Sequence, residues 1–283
     1  MVEKLKRAAL LLLCLTLVRC GGGDGGGGEP SPTPTPDAGL GESARILLLH
    51  HSTGQNVWDG GVAGWIANYN GANGKSYRIE ERAYPDDPWP WDNYPSDYYR
   101  IWVQHEGGAR PGTEWLETLA PQYGVILFKH CFPGSDIGPD SGSPDPASGD
   151  KTLENYRAAY NALKVQLRSF PSTRFIVWTL AMRTQADMQA SYGGDYSGMG
   201  QRSREFTDWV KNVWDEKGDN IFVWDFYALE TEGGLFLRPA YAADPGGDSH
   251  PNGPFCAAVA PLLGQRIVDV VEGRGDTGSL TGR

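Results

Sequence analysis

Three polar segments of this sequence carry residue types able to do chemistry, and two of them directly follow short apolar runs. His50-His51-Ser52-Thr53-Gly54-Gln55-Asn56 comes after Ile46-Leu47-Leu48-Leu49. Lys129-His130-Cys131-Phe132-Pro133-Gly134-Ser135 comes after Val125-Ile126-Leu127-Phe128. The third, Asp244-Pro245-Gly246-Gly247-Asp248-Ser249-His250-Pro251-Asn252, precedes an apolar terminal stretch. A free serine hydroxyl is a poor nucleophile and needs a base within hydrogen-bond reach. Ser52 is placed to be that nucleophile and His250 to be that base, because a neutral imidazole accepts a proton near neutral pH. Asp248 or Asp244 could then hold the imidazole in the working tautomer. Backbone N–H groups at the start of a helix after Ser52 would surround the hydroxyl and could stabilise an oxyanion. The His50-His51 pair has no spaced carboxylate or cysteine to complete a metal set. His51 is read as orienting the loop, and Lys129 and His130 as capping a strand end. The chemistry requires neither metal nor cofactor.

These segments need elements that bring them together. The runs at 46–49, 77–83, 125–128, 175–178 and 221–226 read as strands. Leu153, Tyr156, Tyr160, Leu163, Leu167 and Phe170 recur at steps of three and four, which predicts a helix ended by Pro171. Phe206, Trp209, Val210, Val213 and Trp214 form a second stripe, and Phe255 to Val271 a terminal helix that contains Pro261. Strands alternating with helices predict an α/β fold with a mainly parallel sheet covered on both faces. Ligands of such sheets bind outside the carboxyl ends of the strands, where Ser52 and Cys131 fall.

Over residues 45–271 the chain resembles the SGNH (GDSL-like) hydrolases, in a bacterial lipoprotein-type form. His51-Ser52-Thr53-Gly54 stands where that family has Asp-Ser-x-x-Gly, and Asp248-Ser249-His250-Pro251-Asn252 resembles its late Asp/His block. The resemblance implies a three-layer α/β/α sandwich around a flavodoxin-like five-stranded sheet, and a serine esterase. The chain departs from the family in two places. The family's acid lies three residues before the histidine, where this chain has Gly247; Asp248, two before, is taken as the acid and Asp244 as the alternative. The family's oxyanion asparagine after the third strand is absent from Lys129-His130-Cys131-Phe132. The expected oxyanion donors are therefore the Ser52 N–H, with Asn56 or a group within Gly134-Ser135 beside it.

The outer parts of the chain bear on location and substrate. Lys4, Lys6 and Arg7 precede an apolar stretch at 8–18, the shape of a secretory signal too short to span a bilayer. Leu17-Val18-Arg19-Cys20 resembles a lipobox with Cys20 as the lipidated residue. The expected organisation is a signal at 1–20, a Gly- and Pro-rich tether at 21–42, a hydrolase domain at 43–274 and a disordered tail at 275–283. The protein is expected to be exported, and lipid-anchored to the cell envelope or secreted, touching membrane through its anchor alone. Of the four cysteines, Cys131 and Cys256 remain in the body, as a disulfide or as two buried thiols. A net charge of -10 without a basic face argues against nucleic acid. Trp89, Trp91 and Tyr94 lie in an aromatic, proline-rich segment after the second strand, which is either a platform for sugar rings or a satellite core. A Gly-, Ser- and Tyr-rich stretch at 186–202 reads as a loop on the same side. The expected substrates are acyl esters, chiefly acetyl, of carbohydrate. The alternatives are a non-catalytic, surface-anchored carbohydrate-binding lipoprotein on the same scaffold, or a lipid or short-chain acyl esterase.

Overall fold

The computed structural model describes residues 38–283 apart from 88, 91 and 109. The expected signal, Cys20, most of the tether and Trp91 lie outside the described residues. The body is built on five parallel strands in the order β2-β1-β3-β4-β5: β1 (Arg45–His50), β2 (Arg78–Ala83), β3 (Val125–Phe128), β4 (Arg174–Trp178) and β5 (Ile221–Trp224). β1 pairs with β2 on one side and β3 on the other, with Leu47 opposite both Glu80 and Ile126. The chain therefore reverses its direction of travel across the sheet at β1, and the carboxyl ends of β1 and β3 flank the switch point at which such sheets bind ligands.

Alternation along the buried strands feeds two cores. Leu47, Leu49, Ile126, Phe128, Phe175 and Val177 face one side, under α3 (Pro95–Trp102), α5 (Leu153–Arg168) and α7 (Tyr196–Trp209). Ile46, Leu48, Val125, Leu127, Ile176 and Trp178 face the other, under α1 (Thr53–Asp59), α2 (Val62–Asn73) and α9 (Gly253–Val271). This is the α/β/α sandwich, and it explains why these strands read as continuous apolar runs. β2 lies at the sheet edge and is only partly covered, so its sequence, Arg-Ile-Glu-Glu-Arg-Ala, is mostly charged. Two of the cores' helices start on side-chain caps: Thr152 accepts from the Asn155 N–H at the head of α5, and Asn252 from the Phe255 N–H at the head of α9. A two-stranded antiparallel hairpin, β6 (Ala242–Asp244) and β7 (Asp248–Pro251), precedes α9. Between the sheet's elements lie α4 (Leu116–Leu119) and α8 (Phe226–Thr231).

Three expectations are corrected. The stretch at 186–202 is helical, divided between α6 (Gln185–Tyr192) and α7. Thr184 caps α6 by accepting from the Asp187 N–H, and Gly200 lets α7 close onto Phe236, whose ring would lie 2.8 Å from an added Cβ. The tail at 275–283 is ordered. Leu280 O accepts from the Asp225 N–H, Thr281 O accepts from the Trp224 indole, and Gly282, at φ 77°, lies against the Leu262 carbonyl. Trp89, Tyr84, Tyr98 and Trp102 are core residues, so Trp89 is no exposed platform. Its indole donates to Asp97 and its ring lies under Arg100.

Candidate active site

Ser52 leaves β1 on a tight turn into α1, with φ 36°. A non-glycine residue at positive φ costs about 1–3 kcal/mol and persists only where its surroundings enforce it. Here the enforcement is visible. Gly54 sits so close to the strand that an added Cβ would lie 2.4 Å from the His50 Cβ and 3.1 Å from the Lys129 Cδ. The His51 ring is tied to the Pro85 carbonyl and its own carbonyl accepts from Lys129 Nζ at 2.8 Å. Ser52 Oγ lies 3.3 Å from Cys131 Sγ, at the end of β3. Its backbone N–H has no acceptor among the described residues and stays open to a ligand oxygen.

His250 lies on β7. Its Nδ1 is 2.5 Å from Asp248 Oδ1, and its backbone N–H donates to the same oxygen at 2.9 Å. Burial opposes ionisation of Asp248, but the N–H and imidazole of His250 outweigh it and hold the carboxyl below its ordinary range. With Nδ1–H engaged by the carboxylate, Nε2 is the nitrogen left to take a proton. Asp244 instead accepts from the Gly246 N–H and closes the hairpin turn.

The two halves are joined by neighbours rather than by a direct bond. Asn56 Nδ2 donates to the Pro251 carbonyl, tying α1 to the histidine strand. Phe132, next to Cys131, meets the His250 ring edge-on at 4.9 Å. Among the described residues Ser52 Oγ is bonded to Cys131 and not to His250, and catalytic hydrogen bonds are often loose without substrate.

Several expected partners are engaged elsewhere. Asn56 faces Pro251, so its amide is not an oxyanion donor here. The Gly134 N–H donates to the Cys131 carbonyl, and Ser135 Oγ to the Phe132 carbonyl, each closing the short turn that follows β3. The disulfide is absent: Cys131 and Cys256 are both free and buried. Cys131 belongs to the sheet's carboxyl edge beside Lys129 and Ser52, whereas Cys256 lies on the first turn of α9, on its core face, directed at the Pro251 carbonyl. Tyr94 is half-buried, beside Gly134 and under the Lys151 ammonium. His50 and His130 are buried and kept neutral. Burial, helped by the Lys129 charge, pushes both down to about 3. His130 is bonded to the Tyr160 hydroxyl, and His50 faces Glu81.

One group of residues escaped the sequence reading. Arg183, beyond β4, grips the buried Asp136 through two nitrogens, at 2.7 and 3.1 Å. It also meets Asp187 at 2.9 Å and lies over the Phe132 ring at 4.9 Å. Asp187 in turn accepts from Ser249 Oγ at 2.5 Å, and Ser249 Oγ accepts from the Thr184 N–H. A ring of contacts thus returns to the residue beside His250 and fixes both the imidazole's face and its backbone. No spacing pattern marks these residues.

Fold and site together define a parallel α/β sandwich with a serine, a histidine and an aspartate at the carboxyl edge of the sheet. No family model matches the chain, and no curated protein matches it. Among solved structures it is similar to an acetyl xylan esterase, at 14% identity and a TM-score of 0.43, covering 76% of this chain and 96% of that one. It is also similar to a gut microbial diltiazem-metabolizing enzyme, at 13% identity and a TM-score of 0.41. That match covers 84% of this chain and 48% of the other, so this chain spans about half the enzyme's length. A Bacteroides fragilis protein assigned as an acylhydrolase matches at 12% identity and a TM-score of 0.39, over 85% of this chain and 93% of that one.

Proposed function

We propose that the chain is a serine ester hydrolase that acts on acyl esters of carbohydrate, chiefly acetyl esters, outside the cytoplasm. The observation that carries the reading is the His250–Asp248 pair, which leaves Nε2 free as a base on the sheet edge that also bears the strained Ser52 turn. Ser52 Oγ would attack the ester carbonyl while His250 takes its proton. The open Ser52 N–H would donate to the developing oxyanion. His250 would then return the proton to the leaving alcohol, and water activated by the same base would release the acid. The half-buried Tyr94 and the exposed Tyr192 offer ring faces to a sugar at this edge, in place of the buried Trp89. Export rests on the apolar stretch at 8–18 and anchoring on Cys20.

The absence of an amide donor after β3, and a serine that bonds to Cys131, favour a second reading: a non-catalytic carbohydrate-binding lipoprotein. Hydrolysis of a short-chain aryl acetate separates the two. Turnover by the wild type that vanishes in Ser52→Ala is the expected result. No turnover by the wild type, or equal turnover by the variant, refutes the hydrolase.

A further inference from the structure

Lys129 is a buried cation that the mechanism above does not use. It is the first residue past β3 and is 1% exposed. Burying an ammonium is strongly unfavourable unless it is compensated, and among the described residues Lys129 forms no ion pair. Its nearest carboxyl influence is Glu230, itself buried and pushed well above the ordinary carboxyl range by that burial. Its donors go instead to the two groups that flank the nucleophile. One is the His51 carbonyl, immediately before Ser52, and the other is Cys131 Sγ at 3.7 Å, which lies 3.3 Å from Ser52 Oγ. The stem of the same side chain runs along Gly54, on the far side of the turn. An apolar residue would fill this space without the desolvation cost, so packing alone does not account for the charge.

Building on the hydrolase reading, we propose that Lys129 and Cys131 are a positioning pair for Ser52 that holds its Oγ from beneath. Lys129 Nζ donates to the sulfur, and the S–H donates to a lone pair of Ser52 Oγ. The serine's own proton is thereby left to turn toward His250. As that proton passes to Nε2, the oxygen keeps the S–H donor, and the ammonium behind it stabilises the negative charge that builds on Oγ before bond formation moves that charge to the carbonyl oxygen. No proton leaves the pair during the cycle.

The experiment measures aryl acetate kinetics and the rate of Ser52 labelling by a fluorophosphonate. The proteins compared are the wild type, Cys131→Ala, Cys131→Ser, Lys129→Met and the Cys131→Ala/Lys129→Met double variant, each checked for a wild-type thermal transition. Lys129→Met should lower kcat about 100-fold with KM within about twofold, the scale of removing one preorganised electrostatic contact at the reacting centre. Cys131→Ala should lower kcat about 10-fold, Cys131→Ser should recover most of that loss because it keeps a donor, and the double variant should be no slower than Lys129→Met. Wild-type rates in folded Lys129→Met or Cys131→Ala, or losses that multiply in the double variant, overturn the pairing. If Lys129→Met fails to fold, the cysteine variants decide: equal rates in Cys131→Ala and Cys131→Ser overturn it. If the wild type neither turns over ester nor labels at Ser52, the hydrolase reading itself is wrong and the pairing falls with it.

Discussion

Replacing Asp248 with asparagine removes the charge from the 2.5 Å contact with His250 Nδ1 while preserving the side chain's shape. A charge-assisted hydrogen bond contributes about 1.5–3 kcal/mol, and at about 1.4 kcal/mol per decade this is about 10- to 150-fold in kcat. The Asp248 side chain is 48% exposed, so water screens it and the loss should fall toward the lower part of that range. A fully buried triad carboxylate would be worth about 10⁴-fold. The carboxyl is held below its ordinary range in the folded protein. The pairing is therefore intact above about pH 4 and is lost as pH falls through the folded value. The assay is kcat/KM for an aryl acetate from pH 4 to 9, with Asp244→Asn as control. Asp244 caps an exposed hairpin turn, so its variant should stay within about twofold of the wild type. A full-rate Asp248→Asn, or a larger loss in Asp244→Asn, refutes the assignment of the acid.

Other outcomes follow from the same structure. Gly54→Ala places a Cβ 2.4 Å from His50 and should destabilise by about 1–3 kcal/mol, read as a lower Tm, with loss of Ser52 labelling; an unchanged Tm refutes the close approach. Arg183→Leu leaves the buried Asp136 with Lys151 as its remaining cation, so both Tm and kcat should fall, whereas an effect on KM alone would contradict the role given to the ring around His250. His50 and His130 are neutral when folded, at about 3, but titrate near 6.5 when unfolded. Their contribution to stability is complete above about pH 6.5 and declines as pH falls toward about 3, so Tm should drop across that window and His130→Gln should flatten the drop. Peptide mapping after alkylation in denaturant without reductant should find both Cys131 and Cys256 modified; a linked pair would contradict the free thiols.

The sheet was legible because burial on both faces leaves no polar position to break an apolar run. All five strands fall within a few residues of the apolar runs, and even the charged β2 was readable from its weak alternation. α5 was legible from its stripe and its proline stop. The end of α7 was legible from the stripe that begins at Phe206, but α6 and the start of α7 were not, because Gly193, Gly194, Gly198 and Gly200 hide their periodicity. The aromatic segment misled for a different reason. A buried tryptophan with a satisfied indole, such as Trp89, has the same composition as an exposed platform, and only the Asp97 and Arg100 partners tell them apart. At the site, Ser52 stood out by its place just past an apolar strand and His250 by its place shortly before the terminal helix. Of the expected oxyanion donors, the Ser52 N–H stands open, whereas the turn after β3 uses the Gly134 N–H and the Ser135 hydroxyl internally. The Lys129 and Arg183 contacts join residues far apart in the chain, and no local pattern records them.

The β6–β7 hairpin carries acid and base on one four-residue strand, moored to α6 by Ser249 and to α1 by Asn56. Asp248 and His250 therefore travel as a single cartridge. Displacement of the hairpin alters the gap to Ser52 while the imidazole's tautomer stays unchanged. In the proposed reaction, loosening either mooring would therefore change the distance between nucleophile and base while leaving the Asp248–His250 contact in place.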